Sequence, residues 1–129
     1  MAHPNEDLLR KGFAAFTSGD LNAVQEFFAD DIVWHVPGKS PLAGDYKGRD
    51  EVLGFLAKTM ELTGGTFKLE VHDILAGDEH AVALTTATAE REGKQLNNNG
   101  VQVLHIRDGK LTESWLHPAD QYAADEFWS

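Results

Sequence analysis

Three short turn signals, Gly77-Asp78, Glu92-Gly93 and Asp108-Gly109, cut the second half of the chain into four β-like segments at 66–75, 80–91, 94–107 and 110–117. Glycine beside an acidic residue suits the left-handed backbone of a tight hairpin turn. Links this short leave no room for a crossover helix, so consecutive segments must run antiparallel. The first half reads differently. Leu8, Leu9, Gly12, Phe13 and Phe16 recur at three- and four-residue steps, predicting a helix over 5–18, capped by Asn5 and closed by Gly19. Asp20 caps a short second helix whose buried face is Leu21, Val24, Phe27 and Phe28. Residues 31–37 form a strand, with Ile32, Trp34 and Val36 on one face and Val33 and His35 on the other. The Gly/Pro-bearing stretch to Gly48 reads as a loop long enough to rim a pocket. A third helix over 49–63 buries Val52, Leu53, Phe55, Leu56 and Met60 and stops at Gly64-Gly65. A last helix over 120–128 is capped by Asp120. The order predicts a single α+β domain over residues 1–129, with helices gathered on one face of an antiparallel sheet.

Strand register carries the most information about function. A two-residue turn at Glu92-Gly93 sets Ala87 opposite Asn98, Thr85 opposite Gly100 and Ala83 opposite Gln102. One face of that hairpin is then unusually small (Ala81, Ala83, Thr85, Ala87, Gly100), while the other holds Val82, Leu84, Val101 and Val103. A sheet with one solvated face would not be apolar on both sides. Helices can cover only one of them. If they lie over the small side chains, close packing fails unless bulky Phe13, Phe16, Phe27, Phe28 and Phe55 fill the gap or a ligand cavity remains. The valine face then needs a second subunit, which predicts a homodimer through the sheet.

Composition excludes several classes. Against 21 Asp and Glu stand 11 Lys and Arg, a formal charge of −10. With no basic cluster, a nucleic-acid backbone is not an expected partner. No run approaches the roughly 18 apolar residues of a membrane span. Met-Ala-His-Pro-Asn-Glu-Asp has neither the basic nor the apolar region of a secretory signal, so a cytoplasmic location is expected. Cysteine is absent, removing disulfides and thiolate chemistry. The six histidines show no H-x-H or H-x-x-x-H pair, so neither a metal nor another cofactor is expected.

The element order, together with Gly19-Asp20-Leu21, Ala29-Asp30-Asp31-Ile32-Val33-Trp34-His35-Val36-Pro37-Gly38, Gly44-Asp45-Tyr46-Lys47-Gly48-Arg49 and Arg107-Asp108-Gly109-Lys110-Leu111-Thr112-Glu113-Ser114-Trp115, resembles the SnoaL-like branch of the nuclear-transport-factor-2-like superfamily. The resemblance covers the whole chain. It implies a cone in which a curved antiparallel sheet wraps three helices from the N-terminal half around an apolar pocket. The superfamily includes ketosteroid isomerases, polyketide cyclases and limonene epoxide hydrolases, so the fold alone does not name a reaction. Where the isomerases carry a proton-shuttling aspartate this chain has Val36, and their two oxyanion donors fall at about Gly12 and at Gln102. The cyclases' histidine and aspartate fall at Gln102 and Leu116. The hydrolases' Arg and paired Asp meet Gly100 and Gln102. None of these residues carries a proton near neutrality.

Six residues are the expected ligand contacts: Trp34, Val36, Tyr46, Asn98, Gln102 and Leu116. Gln102, an amide on the small-residue face, must find partners in a ligand or in the protein, and Asn98 shares its face. Trp34 is either core or a wall that stacks on a flat ligand. Tyr46 either places its hydroxyl over the mouth or lies on the surface. His72 with Glu70 would form an acid–base pair if turned inward, which needs a bulge near Asp73. His117 with Asp120 would form another, unless Asp120 only caps the last helix. His35 and His105 face outward. At Asp108-Gly109 a two-residue turn directs Trp115 to the Gln102 face, whereas a three-residue turn with a glycine bulge directs Ser114 and Leu116 there. The family pattern selects the second. The expected function is a pocket for an apolar small molecule, with isomerase, cyclase or hydrolase chemistry by proton transfer. The alternative is a non-catalytic binding or dimerisation module with a vestigial cavity.

Overall fold

Glu92 and Gly93 both take left-handed backbone angles (φ 49° and 78°), as do Asp108 and Gly109 (φ 52° and 73°). Paired positive φ gives the hairpin turn whose twist matches that of the flanking strands. The computed structural model describes residues 3–129, in the order α1 (Pro4–Thr17), α2 (Leu21–Gln25), β1 (Phe28–Val36), β2 (Gly44–Lys47), α3 (Arg49–Leu62), β3 (Lys68–Ala76), β4 (His80–Arg91), β5 (Lys94–Arg107), β6 (Lys110–Pro118) and α4 (Gln121–Trp128). The six strands form one sheet in the order β2-β1-β6-β5-β4-β3. The fold is α+β, as expected. The sheet is not wholly antiparallel, however, because β1 lies parallel to β6 with Trp34 beside Ser114. Only a distant connection can make such a pair, and no turn signal marks it.

The β4–β5 hairpin keeps the expected register without a break from Arg91↔Lys94 to His80↔His105, including Ala83↔Gln102, Thr85↔Gly100 and Ala87↔Asn98. Ala81, Ala83 and Thr85 are buried, and Val82, Leu84, Val101 and Val103 on the other face are half-buried. Ile32, Val52, Ile74 and Leu104 are almost wholly buried in the core between sheet and helices.

Several expectations need correction. The α1 cap is His3, whose Nδ1 accepts the Asn5 N–H, and Pro4 opens the helix, where a missing N–H leaves nothing unpaired. Asn5 instead lies inside the helix and donates its amide to the carbonyls of Gly77 and Asp78, tying α1 to the β3–β4 turn. Phe28 belongs to β1 rather than to the second helix. The stretch expected to be loop contains β2, which pairs antiparallel with β1. At the β3 bulge, Val71 pairs with Thr85 and Asp73 with Leu84, leaving His72 as the extra residue. The bulge does not turn His72 inward. It lets Val71 and Ile74 face the core while His72 and Glu70 stay exposed.

The β5–β6 turn follows neither alternative. Arg107 pairs with Lys110 across a two-residue turn, but the register then slips, so that Ile106 pairs with Leu111 and His105 with Glu113. Thr112 is the bulged residue, its hydroxyl donating to the His105 carbonyl. The slip brings Leu111 and Ser114 to the core side together and leaves Leu116 opposite Gln102. The faces match the family-like reading, through a bulge three residues beyond the glycine.

Candidate functional site

The helices do not fill the space over the small side chains. A cavity of about 210 Å³ lies between α1, α3 and the sheet, walled by Leu9, Phe13 and Phe16 on one side and Trp34, Ala87 and Gln102 on the other. The α1 aromatics are only half-buried because their rings face this hollow. One end is closed by α4, a role the sequence left open. Phe127 packs against Ala89 and Leu96, while Gln121, Ala124, Asp125 and Trp128 join the cavity wall. Arg91 and Lys94, from the β4–β5 hairpin, donate to carbonyls at the end of α4, where cations also suit the helix dipole.

Of the six expected contacts, Trp34, Val36, Asn98, Gln102 and Leu116 line the cavity. Tyr46 does not. It lies on β2 beside Trp34, packs against Phe55 at 4.8 Å, and donates its hydroxyl to the Leu42 carbonyl at 2.7 Å. Burial raises its pKa, keeping the phenol neutral. Asn98 reaches the cavity wall, but both ends of its amide are already bonded. Nδ2 donates to the Asp120 carbonyl (2.8 Å) and Oδ1 accepts the Asp120 N–H (3.1 Å), so Asn98 is the clamp that seats α4. Asp120 caps that helix through Ala123 and makes no bond to His117, which is exposed.

Gln102 is 4% exposed, and its Nε2 donates to the Oγ of fully buried Ser114 at 2.8 Å. Among the described residues nothing bonds its Oε1. Trp34 packs against Phe28 at 5.8 Å, and its indole N–H is sealed without a partner among the described residues. An unmade bond of that kind costs about 1–3 kcal/mol. Among the described lining residues, Asp125 and His117 are the two with carboxylate or imidazole side chains. Asp125 is half-buried, and its Oδ1 accepts the Lys39 N–H (3.0 Å) and the Gln121 amide (3.1 Å). The sequence reading missed it. A carboxylate four residues after Gln121 in a capped helix was the available signal. Gly38, at φ 101°, leaves room for these two side chains, because a Cβ on it would meet the Asp125 Oδ1 and the Gln121 Nε2.

A second polar cluster lies on the outer face of the sheet. His35 holds Asp45 at 2.7 Å through Nδ1 and Glu113 at 2.6 Å through Nε2, and stacks on Trp115 at 5.1 Å. Two carboxylate partners need both ring N–H groups, which favours the imidazolium. The Glu113 bond accordingly raises the His35 pKa, against a lowering by burial, with Asp45 adding to the rise. His105 lies outward beside the same Trp115. Among the described residues no three His, Asp or Glu side chains are grouped to hold a metal ion. No helix among the described residues is long and apolar enough to cross a membrane.

The family model described as a SnoaL-like domain matches residues 9–114. This chain belongs to the SnoaL-like family. The Rv0034 protein of Mycobacterium tuberculosis is 35% identical over 124 residues, covering 95% of each chain. Bal32a, from a soil-derived mobile gene cassette, is 37% identical and superposes with a TM-score of 0.94 over 97% of this chain and 96% of its own. TerC, a structure co-crystallized with polyporic acid, shares the fold at 23% identity, with a TM-score of 0.85 over 97% and 98% of the two chains. The SnoaL-like cone is therefore the frame in which the cavity sits.

Proposed function

We propose that this SnoaL-like chain binds an apolar, ring-shaped small molecule inside the cone. The observation that carries the reading is a cavity lined by Phe, Leu, Trp and Ala side chains, left open although six phenylalanines stand in its wall. Ligand pockets are of this kind, largely apolar with few placed polar groups. TerC, which shares the fold, was co-crystallized with polyporic acid. Proton-transfer chemistry on such a molecule, of the cyclase or isomerase type, would run through Asp125, the lining carboxylate whose Oδ1 is fixed by two donors.

Titration with steroid, anthraquinone and terpenoid ligands, read by tryptophan fluorescence, tests the binding. Ala87→Leu is expected to fill the hollow, abolish that binding and leave thermal stability equal or higher. Undiminished binding by that variant would refute the pocket. Turnover lost in Asp125→Asn, with binding kept, would support catalysis. Val36, Gln102 and Leu116 at the expected proton-carrier positions favour a second reading, a carrier or sensor. Binding of the panel with no turnover at any pH supports that alternative. The outer apolar face supports a further part of the proposal, a homodimer formed sheet to sheet.

A further inference from the structure

We propose that Gln102, held by Ser114, makes the cavity select ligands bearing a hydroxyl or another hydrogen-bond donor. This rests on the pocket reading above. The buried polar side chains on the cavity wall are Thr59, Thr85, Asn98 and Gln102, beside Trp34, whose indole N–H is sealed off. Thr59 donates its hydroxyl to the Phe55 carbonyl, and Thr85 donates to the Gly100 carbonyl. Asn98 has both amide ends bonded to Asp120. Among the described residues, Gln102 alone in this set keeps an amide atom without a protein partner. Ser114, on the neighbouring strand, accepts from one end of that amide. Ser114 lies on β6, paired with Leu104 on one side and Trp34 on the other, and is wholly buried. Its Oγ receives the Gln102 Nε2, so the acceptor end, Oε1, is the one left for whatever enters.

An acceptor with so little access to water gains from a donor and is penalised by a second acceptor. A phenol or alcohol satisfies it; an ether, ester or ketone of the same shape leaves two oxygen lone-pair sets facing each other. Ser114 is thus a positioning residue. With its hydroxyl removed, the amide is free to turn and present its NH₂ end instead, which would serve acceptors equally well.

The test compares naphthalene, 2-naphthol and 2-methoxynaphthalene by calorimetry on the full chain. The expected order places 2-naphthol about three- to tenfold tighter than the methyl ether, the usual worth of one added hydrogen bond. Gln102→Leu should lose the preference for 2-naphthol over the ether. Ser114→Ala should lose it by gaining affinity for the ether, a change that general loosening of the sheet would not produce. In the wild-type chain, 2-naphthol and not naphthalene should shift the Gln102 side-chain amide resonances, a readout independent of either variant's folding. Equal binding of naphthol and ether, or tighter binding of the ether, overturns the inference and leaves the pocket standing. Failure of all three compounds to bind removes the pocket and the inference together.

Discussion

At the residue scale, His35 decides how the outer face responds to pH. Its pKa is raised above the ordinary 6.5 chiefly by the bond to Glu113, with burial acting the other way. A base whose folded-state pKa exceeds its unfolded value contributes stability fully present below the unfolded value, here about 6.5. That contribution is lost as pH rises through the folded pKa. Urea midpoints should therefore fall on the alkaline side of 6.5, and Glu113→Gln should flatten the fall. NMR titration of the His35 ring in Glu113→Gln should give a pKa lower than in the parent chain. An unchanged ring pKa would show that Glu113 does not hold the imidazolium. Because the ring is a quarter exposed, solvent screens the pair and the stability change will be small. Little of this could be read from sequence. Alternation put His35 outward, but Glu113 reaches it only across the parallel β1–β6 contact, seventy-eight residues away in the chain.

At the element scale, the last helix shows how one side chain can be given the wrong task by sequence alone. Pattern placed Asn98 on the cavity face, which is correct, and an inward amide invites a ligand role. What pattern does not carry is the path of the chain after Pro118, which returns Asp120 to within bonding distance of that amide. Asn98→Ala removes two bonds and leaves the Asp120 backbone groups in want of partners, a loss of about 1–3 kcal/mol. The damage should be local. Hydrogen exchange should quicken in α4 and stay slow in α3, since Arg91 and Lys94 hold only the far end. Equal acceleration in both helices would mean that Asn98 serves the whole core. The β4–β5 register was legible because one tight turn fixes every pair in an unbroken hairpin. β2 was not: four residues, Gly44-Asp45-Tyr46-Lys47, offer one apolar side chain and no alternation to detect. The β6 bulge escaped for a similar reason, because Thr112 is an ordinary strand residue and only the need to bury both Leu111 and Ser114 selects it.

At the scale of the whole molecule, two forces oppose each other across the outer face. Val82, Leu84, Val103 and Trp115 form a half-buried apolar stripe there, and pairing two such faces would remove apolar area from water on both sides. Each chain, however, carries a formal charge of −10, so association brings together two strongly acidic bodies. Self-repulsion of that kind weakens with ionic strength, whereas apolar contact does not. The proposed dimer should consequently tighten as salt rises from about 0.02 M to 0.5 M, where the screening length drops below about 5 Å. Sedimentation equilibrium at graded salt measures it directly. Val103→Glu should give a folded monomer at every salt concentration, because a charge in the middle of the stripe is buried without a partner only when two chains meet. A dimer that weakens as salt is added would instead be held by ion pairs, and the His35, Asp45 and Glu113 cluster on the same face would be the place to seek them.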